Sequence, residues 1–176
     1  MIKSAVYALF LIAGLVSLPA PAQSNSATMG FIGCGNASAK FDVDYARERK
    51  PAQPDAGKAL VYFIEKDSGA FTTPTTMAGL DGKWIGATSG NSYFHFSVDP
   101  GVHHLCATTR FGGWGGAALT AVAHFTADAG SVYYFEVNNI SWTEPTTSEV
   151  NLLPLDSDEG QLLASFFDLA VFRQKK

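Results

Sequence analysis

Apolar positions along the chain follow two regimes. Residues 5–16 form one unbroken, uncharged apolar run, whereas from residue 58 onward apolar residues come in short bursts between Gly-, Pro- and Asp-bearing corners. Within most of those bursts the period is two, which places successive side chains on opposite faces of a strand and predicts half-buried β structure. Ser92 to Val98 shows it plainly, with Phe94, Phe96 and Val98 on one face and Tyr93, His95 and Ser97 on the other. Lys58 to Glu65 (KALVYFIE) is apolar on both faces, as expected of an interior strand covered on each side.

The corners predict how these strands connect. Asp81-Gly82, between Thr76–Leu80 and Lys83–Ala87, is a strong two-residue hairpin signal. Asp99-Pro100-Gly101 is expected to turn Ser92–Val98 back onto Val102–Thr109 as its partner strand. A second hairpin is expected about Asp128-Ala129-Gly130, joining Ala117–Thr126 to Ser131–Asn138, with Tyr133, Phe135 and Val137 facing the core and Tyr134, Glu136 and Asn138 facing out. Phe111 to Gly116 (FGGWGG) is too rich in glycine to hold a strand and reads as a loop. Val150–Pro154 adds a short strand, and Val171 and Phe172 a last one. Between them, Asp156 stands as a helix N-cap with Glu159 as its capping-box partner, and Leu162, Leu163, Phe166 and Phe167 provide an apolar face. The pattern predicts a mostly β fold, an antiparallel β-sandwich with one short C-terminal helix.

The beginning of the chain reads differently. Lys3 precedes the apolar run, and Leu18-Pro19-Ala20-Pro21-Ala22 places small residues where a signal peptidase would cut after Ala22. The run is short for a bilayer span, and an uncleaved N-terminal anchor is the competing reading. The expected organisation is a signal peptide over 1–22, a leader and linker over 23–57 pinned by Cys34, and a β-sandwich domain over 58–176. After cleavage the protein is expected in the periplasm or outside the cell, with no transmembrane segment in the mature chain.

Composition supports a single folded domain. Of 176 residues, 47% are hydrophobic, and 13 Phe, 6 Tyr and 3 Trp supply large side chains for a core. The formal charge of −4 and the lack of a basic stripe set nucleic-acid binding aside. Cys34 and Cys106 are the only cysteines. In an exported protein they are expected to pair, closing a loop of about 70 residues worth roughly 4 kcal/mol in the chain-entropy model. Two buried thiols or a metal pair are the other readings.

Candidate chemistry is sparse. His103 and His104 are neighbours on a strand, so they point to opposite faces and cannot hold one ion together. His95, His104 and His124 could offer three nitrogens to a metal, and a metal-assisted hydrolase is the function that trio would imply; half-exposed strand histidines are the plainer reading. The serines lack a G-x-S-x-G elbow, and Asp156, Asp158 and Glu159 suit a helix start. Trp84, Trp114 and Trp142 fall in or near connections, as a carbohydrate- or cell-wall-binding module would place them; local core plugs are the competing reading. No cofactor is implied.

Five strings in order resemble a bacterial exported-protein family, the one catalogued as domain of unknown function 2846. They are A-L-V-Y-F (Ala59–Phe63), L-D-G-K-W-I-G (Leu80–Gly86), N-S-Y-F (Asn91–Phe94), V-D-P-G-V-H-H (Val98–His104) and A-G-S-V-Y-Y-F (Ala129–Phe135). The D-G-x-x-x-G and D-P-G-x-H pieces are also similar to the small PEGA-type β-sandwich repeats of bacterial envelope proteins. The resemblance implies a β-sandwich in an envelope or periplasmic setting and carries over no catalytic residues. Many relatives are lipoproteins, and this chain departs from them in having no Cys just after the apolar run. The expected function is therefore a secreted or periplasmic non-enzymatic β-sandwich with a binding or structural role, its partner an envelope polymer or another exported protein. If the loop tryptophans bind polymer, Trp114→Ala abolishes retention on cell-wall or polysaccharide fractions; equal retention of wild type and variant removes that reading.

Overall fold

Side chains from two facing sheets meet in one core and define the architecture. A computed structural model describes residues 34–36, 38–48, 52–66, 74–110, 118–140 and 149–175. One sheet has six strands in the order β1 (Phe41–Tyr45), β10 (Asp168–Gln174), β5 (Ser92–Val98), β2 (Ala59–Lys66), β8 (Val132–Ile140) and β9 (Glu149–Leu155). The other has four, in the order β4 (Lys83–Ser89), β3 (Thr75–Leu80), β6 (Gly101–Arg110) and β7 (Ala118–Ala127). Phe63, Phe94 and Phe135 from the six-stranded sheet meet Ala78, Ala107 and Ala121 from the four-stranded sheet in one buried core. Facing sheets pack about 10 Å apart, so small residues fit opposite some of these rings, while Leu105 and Phe125 of the four-stranded sheet fill the gap elsewhere, Phe125 lying 5.1 Å from Phe135. This is the expected β-sandwich, with one short helix, α1 (Ser157–Phe166), ahead of the last strand.

Strand β2 lies inside its sheet, between β5 and β8, and is apolar on both faces as its sequence predicts. Ala59, Val61 and Phe63 enter the core between the sheets, while Ile64 and Tyr62 join Tyr93 and Tyr134 on the far side beneath α1. The alternations of β5 and β8 also hold: Phe94, Phe96, Val98, Tyr133, Phe135 and Val137 all pack in the central core.

Two corners connect differently from the sequence expectation. The β3–β4 hairpin forms at Asp81-Gly82, where φ values of 49° and 81° suit the two-residue turn. Asp99-Pro100-Gly101 does not make a hairpin, because β5 pairs with β2 while β6 pairs with β3 and β7. Asp128-Ala129-Gly130 likewise carries the chain from β7 in one sheet to β8 in the other, so the expected second hairpin is absent. A strand that passes into the facing sheet keeps its apolar side toward the same core, so alternation alone cannot separate a hairpin from such a crossing. The four-stranded sheet is antiparallel throughout, but the six-stranded sheet also contains the parallel pairs β2/β8 and β5/β10.

The stretch expected to be leader and linker contributes structure of its own. Residues 41–45 form β1, an edge strand antiparallel to β10. Ahead of it, Cys34 is disulfide-bonded to Cys106 on β6, with Cα atoms 5.7 Å apart and both residues buried. The pairing holds as expected, and it fastens the start of the described chain to the outer face of the four-stranded sheet. Residues 1–22, expected to be a signal peptide, and Phe111–Gly116, expected to be a loop, lie outside the described residues. No helix among the described residues is long and apolar enough to cross a membrane.

A polar clasp joins the two layers inside the core. Thr76 on β3 donates to the Glu65 carboxylate on β2 over 2.6 Å, so its own oxygen must accept from Thr109 on β6, 2.8 Å away. All three residues are almost wholly buried.

Helix α1 departs from its expected details. Asp156 occupies the N-cap, but its side chain makes no cap hydrogen bond, so the capping box is not formed. Of the four residues expected on its apolar face, Leu163 and Phe167 pack on the sheet, whereas Leu162 and Phe166 are 56% and 72% exposed. The contact is made instead by the backbone: a Cβ added at Gly160 would run into the Tyr134 ring. Gly160→Ala should therefore destabilise the protein by about 1–3 kcal/mol through overpacking, seen as a lower urea midpoint. Stabilisation by about 1 kcal/mol, the helix-propensity gain of alanine over glycine, would show that the helix does not rest on this ring.

Candidate functional site

The three histidines of the sequence-level metal reading do not converge. His95 stands on the outer face of the six-stranded sheet, since its neighbours Phe94 and Phe96 point into the core. His104 and His124 stand on the outer face of the four-stranded sheet, paired directly across β6 and β7, and the next pair, Leu105 and Ala123, turns inward. The sandwich thus separates His95 from the other two by its full thickness. The expected turn that would have brought β5 and β6 side by side is the sheet-to-sheet crossing described above. Among the described residues no three His, Cys, Asp or Glu side chains gather closely enough to hold a metal ion.

His103, which sequence reasoning set aside, is the most strongly engaged of the histidines. Its Nδ1 lies 2.7 Å from Asp81 Oδ2 and its Nε2 lies 2.7 Å from the Asp99 carbonyl oxygen. Both partners only accept, and only the imidazolium donates from both nitrogens, so the geometry selects the charged ring. Burial opposes that charge, but the hydrogen bonds to Asp81 and Asp99 and the charges of both carboxylates outweigh it, and the pKa of His103 is raised. The other Asp81 oxygen accepts from the His104 backbone N–H at 2.8 Å, and the Asp81 N–H donates to the His104 carbonyl at 2.9 Å. Burial acts to raise the pKa of Asp81, yet the hydrogen bonds from His104 and His103 and their charges leave it lowered. The D-G and D-P-G-V-H-H strings, distant in sequence, are therefore one stitched corner. Lys58 adds a surface contact to Asp99 at 3.2 Å.

A second cluster covers the outer face of the six-stranded sheet. Tyr62 on β2 stacks on Tyr134 of β8, with ring centroids 4.9 Å apart, and lies 5.5 Å from His95 and 5.8 Å from Tyr93 of β5. Burial lowers the pKa of His95, which keeps its ring neutral near pH 7. Burial raises Tyr62 against an opposing backbone hydrogen bond from Ala52, and burial with the neighbouring Tyr62 raises Tyr134. Glu136, beside Ile64 in the register, is also raised, first by burial, with Lys66 opposing and Glu159 of α1 assisting. Tyr62, Tyr93, His95 and Tyr134 thus form an aromatic row, of which Tyr93 and Tyr134 are buried. Its residues were on the outward face by alternation, but their adjacency depends on the order β5-β2-β8, which includes a parallel pair.

Of the three tryptophans, Trp84 has a structural post. Its indole N–H donates to the Asn36 carbonyl at 2.8 Å, and it packs so tightly on Gly35 that a Cβ there would lie 2.8 Å from the ring. Trp114 and Trp142 lie outside the described residues.

Comparison with known proteins places this geometry. The family model described as Protein of unknown function (DUF2846) matches residues 55–149, which include both stitched strings and the whole aromatic row. No curated protein and no solved structure matches the chain.

The shifts at the stitched corner set a pH dependence with a definite sign. His103 is raised above 6.5, so its contribution is complete below that value and fades as pH rises through its folded pKa. Asp81 is lowered below 3.8, so its contribution is complete above that value and fades as pH falls through its folded pKa. Asp81→Asn keeps the backbone acceptor and tolerates the positive φ but removes the charge. The stability gap between wild type and Asp81→Asn, from urea midpoints across a pH series, should be flat between pH 3.8 and 6.5 and narrow above that range. A gap that widens above pH 7 would contradict the imidazolium assignment.

Proposed function

We propose that this chain, which belongs to the DUF2846 family of proteins of unknown function, is an exported, non-enzymatic β-sandwich that acts by binding or as a structural part of the bacterial cell envelope. The observation that carries this reading is the Cys34–Cys106 bond. A disulfide that ties the N-terminal strap to the core persists in an oxidising compartment and is rare in the reducing cytosol. It agrees with the leader of residues 1–22, whose short apolar run and small residues before Gln23 suit cleavage on export. The likeness of the D-G-x-x-x-G and D-P-G-x-H strings to PEGA-type repeats adds the envelope setting.

The use made of the polar groups supports a non-catalytic role. Asp81 and His103 are occupied in joining the β3–β4 turn to β6, and Glu65, Thr76 and Thr109 in joining the two sheets. His95, with its pKa lowered by burial, packs as a neutral ring against Tyr62. Each of these groups does structural duty, and a general acid or base needs instead a group poised near working pH and open to substrate.

The full chain, expressed untagged in an exporting bacterium, is expected in the periplasmic or external fraction with Gln23 as its N-terminus. Without reductant, neither cysteine should react with a maleimide. Recovery only from the cytosol, with residues 1–22 attached and two reactive thiols, would overturn the proposal.

A further inference from the structure

The antiparallel register of β6 and β7 sets His104 directly opposite His124, both exposed and both on the outer face of the four-stranded sheet. Directly opposed residues in such a pair have Cβ atoms about 4.5–5.5 Å apart. Two imidazole nitrogens bound to one ion at about 2.0–2.1 Å each need to come within about 4 Å of one another, which opposed rings reach by rotating about their side-chain bonds. We propose that His104 and His124 form a two-nitrogen surface site for a divalent transition-metal ion, with copper(II) held most tightly and water completing the coordination.

Two further features of the surface favour an ion there. The strands are held on both sides of the pair by a continuous register from Gly101↔Ala127 to Arg110↔Ala118, so the two Cα atoms are fixed before the ion arrives. Val102 and Val122, two residues before each histidine on the same face, are 66% and 40% exposed and give the pair an apolar border. Imidazole suits copper and zinc, and the general affinity order of the divalent ions puts copper(II) first. The site differs from a three-histidine centre in lacking His95, which lies on the opposite side of the sandwich.

The test uses the exported protein, untagged and with its disulfide intact, titrated with copper(II) chloride and followed by electron paramagnetic resonance and calorimetry. One ion per chain with a two-nitrogen coordination signature is expected. His104→Gln and His124→Gln should each weaken binding on the order of tenfold or more, the loss that removing even an outer-shell partner causes, while His95→Gln binds as wild type. Zinc(II) should in turn protect both His104 and His124 of the wild-type protein from diethyl pyrocarbonate, read by mass spectrometry, a measurement that does not depend on how the variants fold. Equal copper binding by wild type and both variants, the absence of saturable binding, or modification of both histidines at an unchanged rate with zinc would each overturn the proposal.

Discussion

Burial of β2 on both faces is the constraint from which the rest of the molecule follows. Its inward residues Val61 and Phe63 need a second sheet above them, and its outward residues Tyr62 and Ile64 need a cover below. The four-stranded sheet answers the first need with Ala78, Ala107 and Ala121 together with Leu105 and Phe125, which fill the gap between the layers with the rings of β2, β5 and β8. Helix α1 answers part of the second, and it comes close enough to do so because Gly160 presents bare backbone to Tyr134. On the same face Tyr62 packs against Tyr93 and His95.

Polar groups are placed where this layered arrangement would otherwise come apart. The chain passes between sheets at Asp99–Gly101, and the same corner holds the imidazolium of His103 between the Asp99 carbonyl and the Asp81 carboxylate. Within the core, the Thr109–Thr76–Glu65 chain of hydrogen bonds crosses from one layer to the other. At the N-terminal end a covalent bond does the same work, tying Cys34 to β6 while Trp84 closes over Gly35. His95 and His103 show how environment divides one residue type: burial against an aromatic ring lowers the first, and two acceptors in line with its nitrogens raise the second.

Much of the strand content was legible in the sequence because side-chain alternation is a local property. The inward set Phe94, Phe96, Val98 and the inward set Tyr133, Phe135, Val137 could be read from spacing two apart, and both pack in the core. The Asp81-Gly82 turn was legible because its positive φ values suit those two residue types. The corners at Asp99–Gly101 and Asp128–Gly130 were misread because hairpins and sheet crossings share the same turn residues and the same inward face. On α1, Leu162 and Phe166 looked equivalent to Leu163 and Phe167, but the helix lies on its Gly160 side. The candidate surfaces suffered most, since each is made by residues from strands whose neighbourhood is not written in either segment.

By itself the sequence determined a β-rich chain, its one pair of cysteines, and the faces of β5 and β8 that turn inward. Those properties depend on composition and on separations of a few residues, where the pleat alone dictates direction. Tertiary structure alone decided that β8 lies parallel to β2, that His103 meets Asp81, and that His104 stands opposite His124 while His95 is on the far side. Those outcomes depend on strand order and register, which are set by how the two layers fill the space between them and not by any one segment.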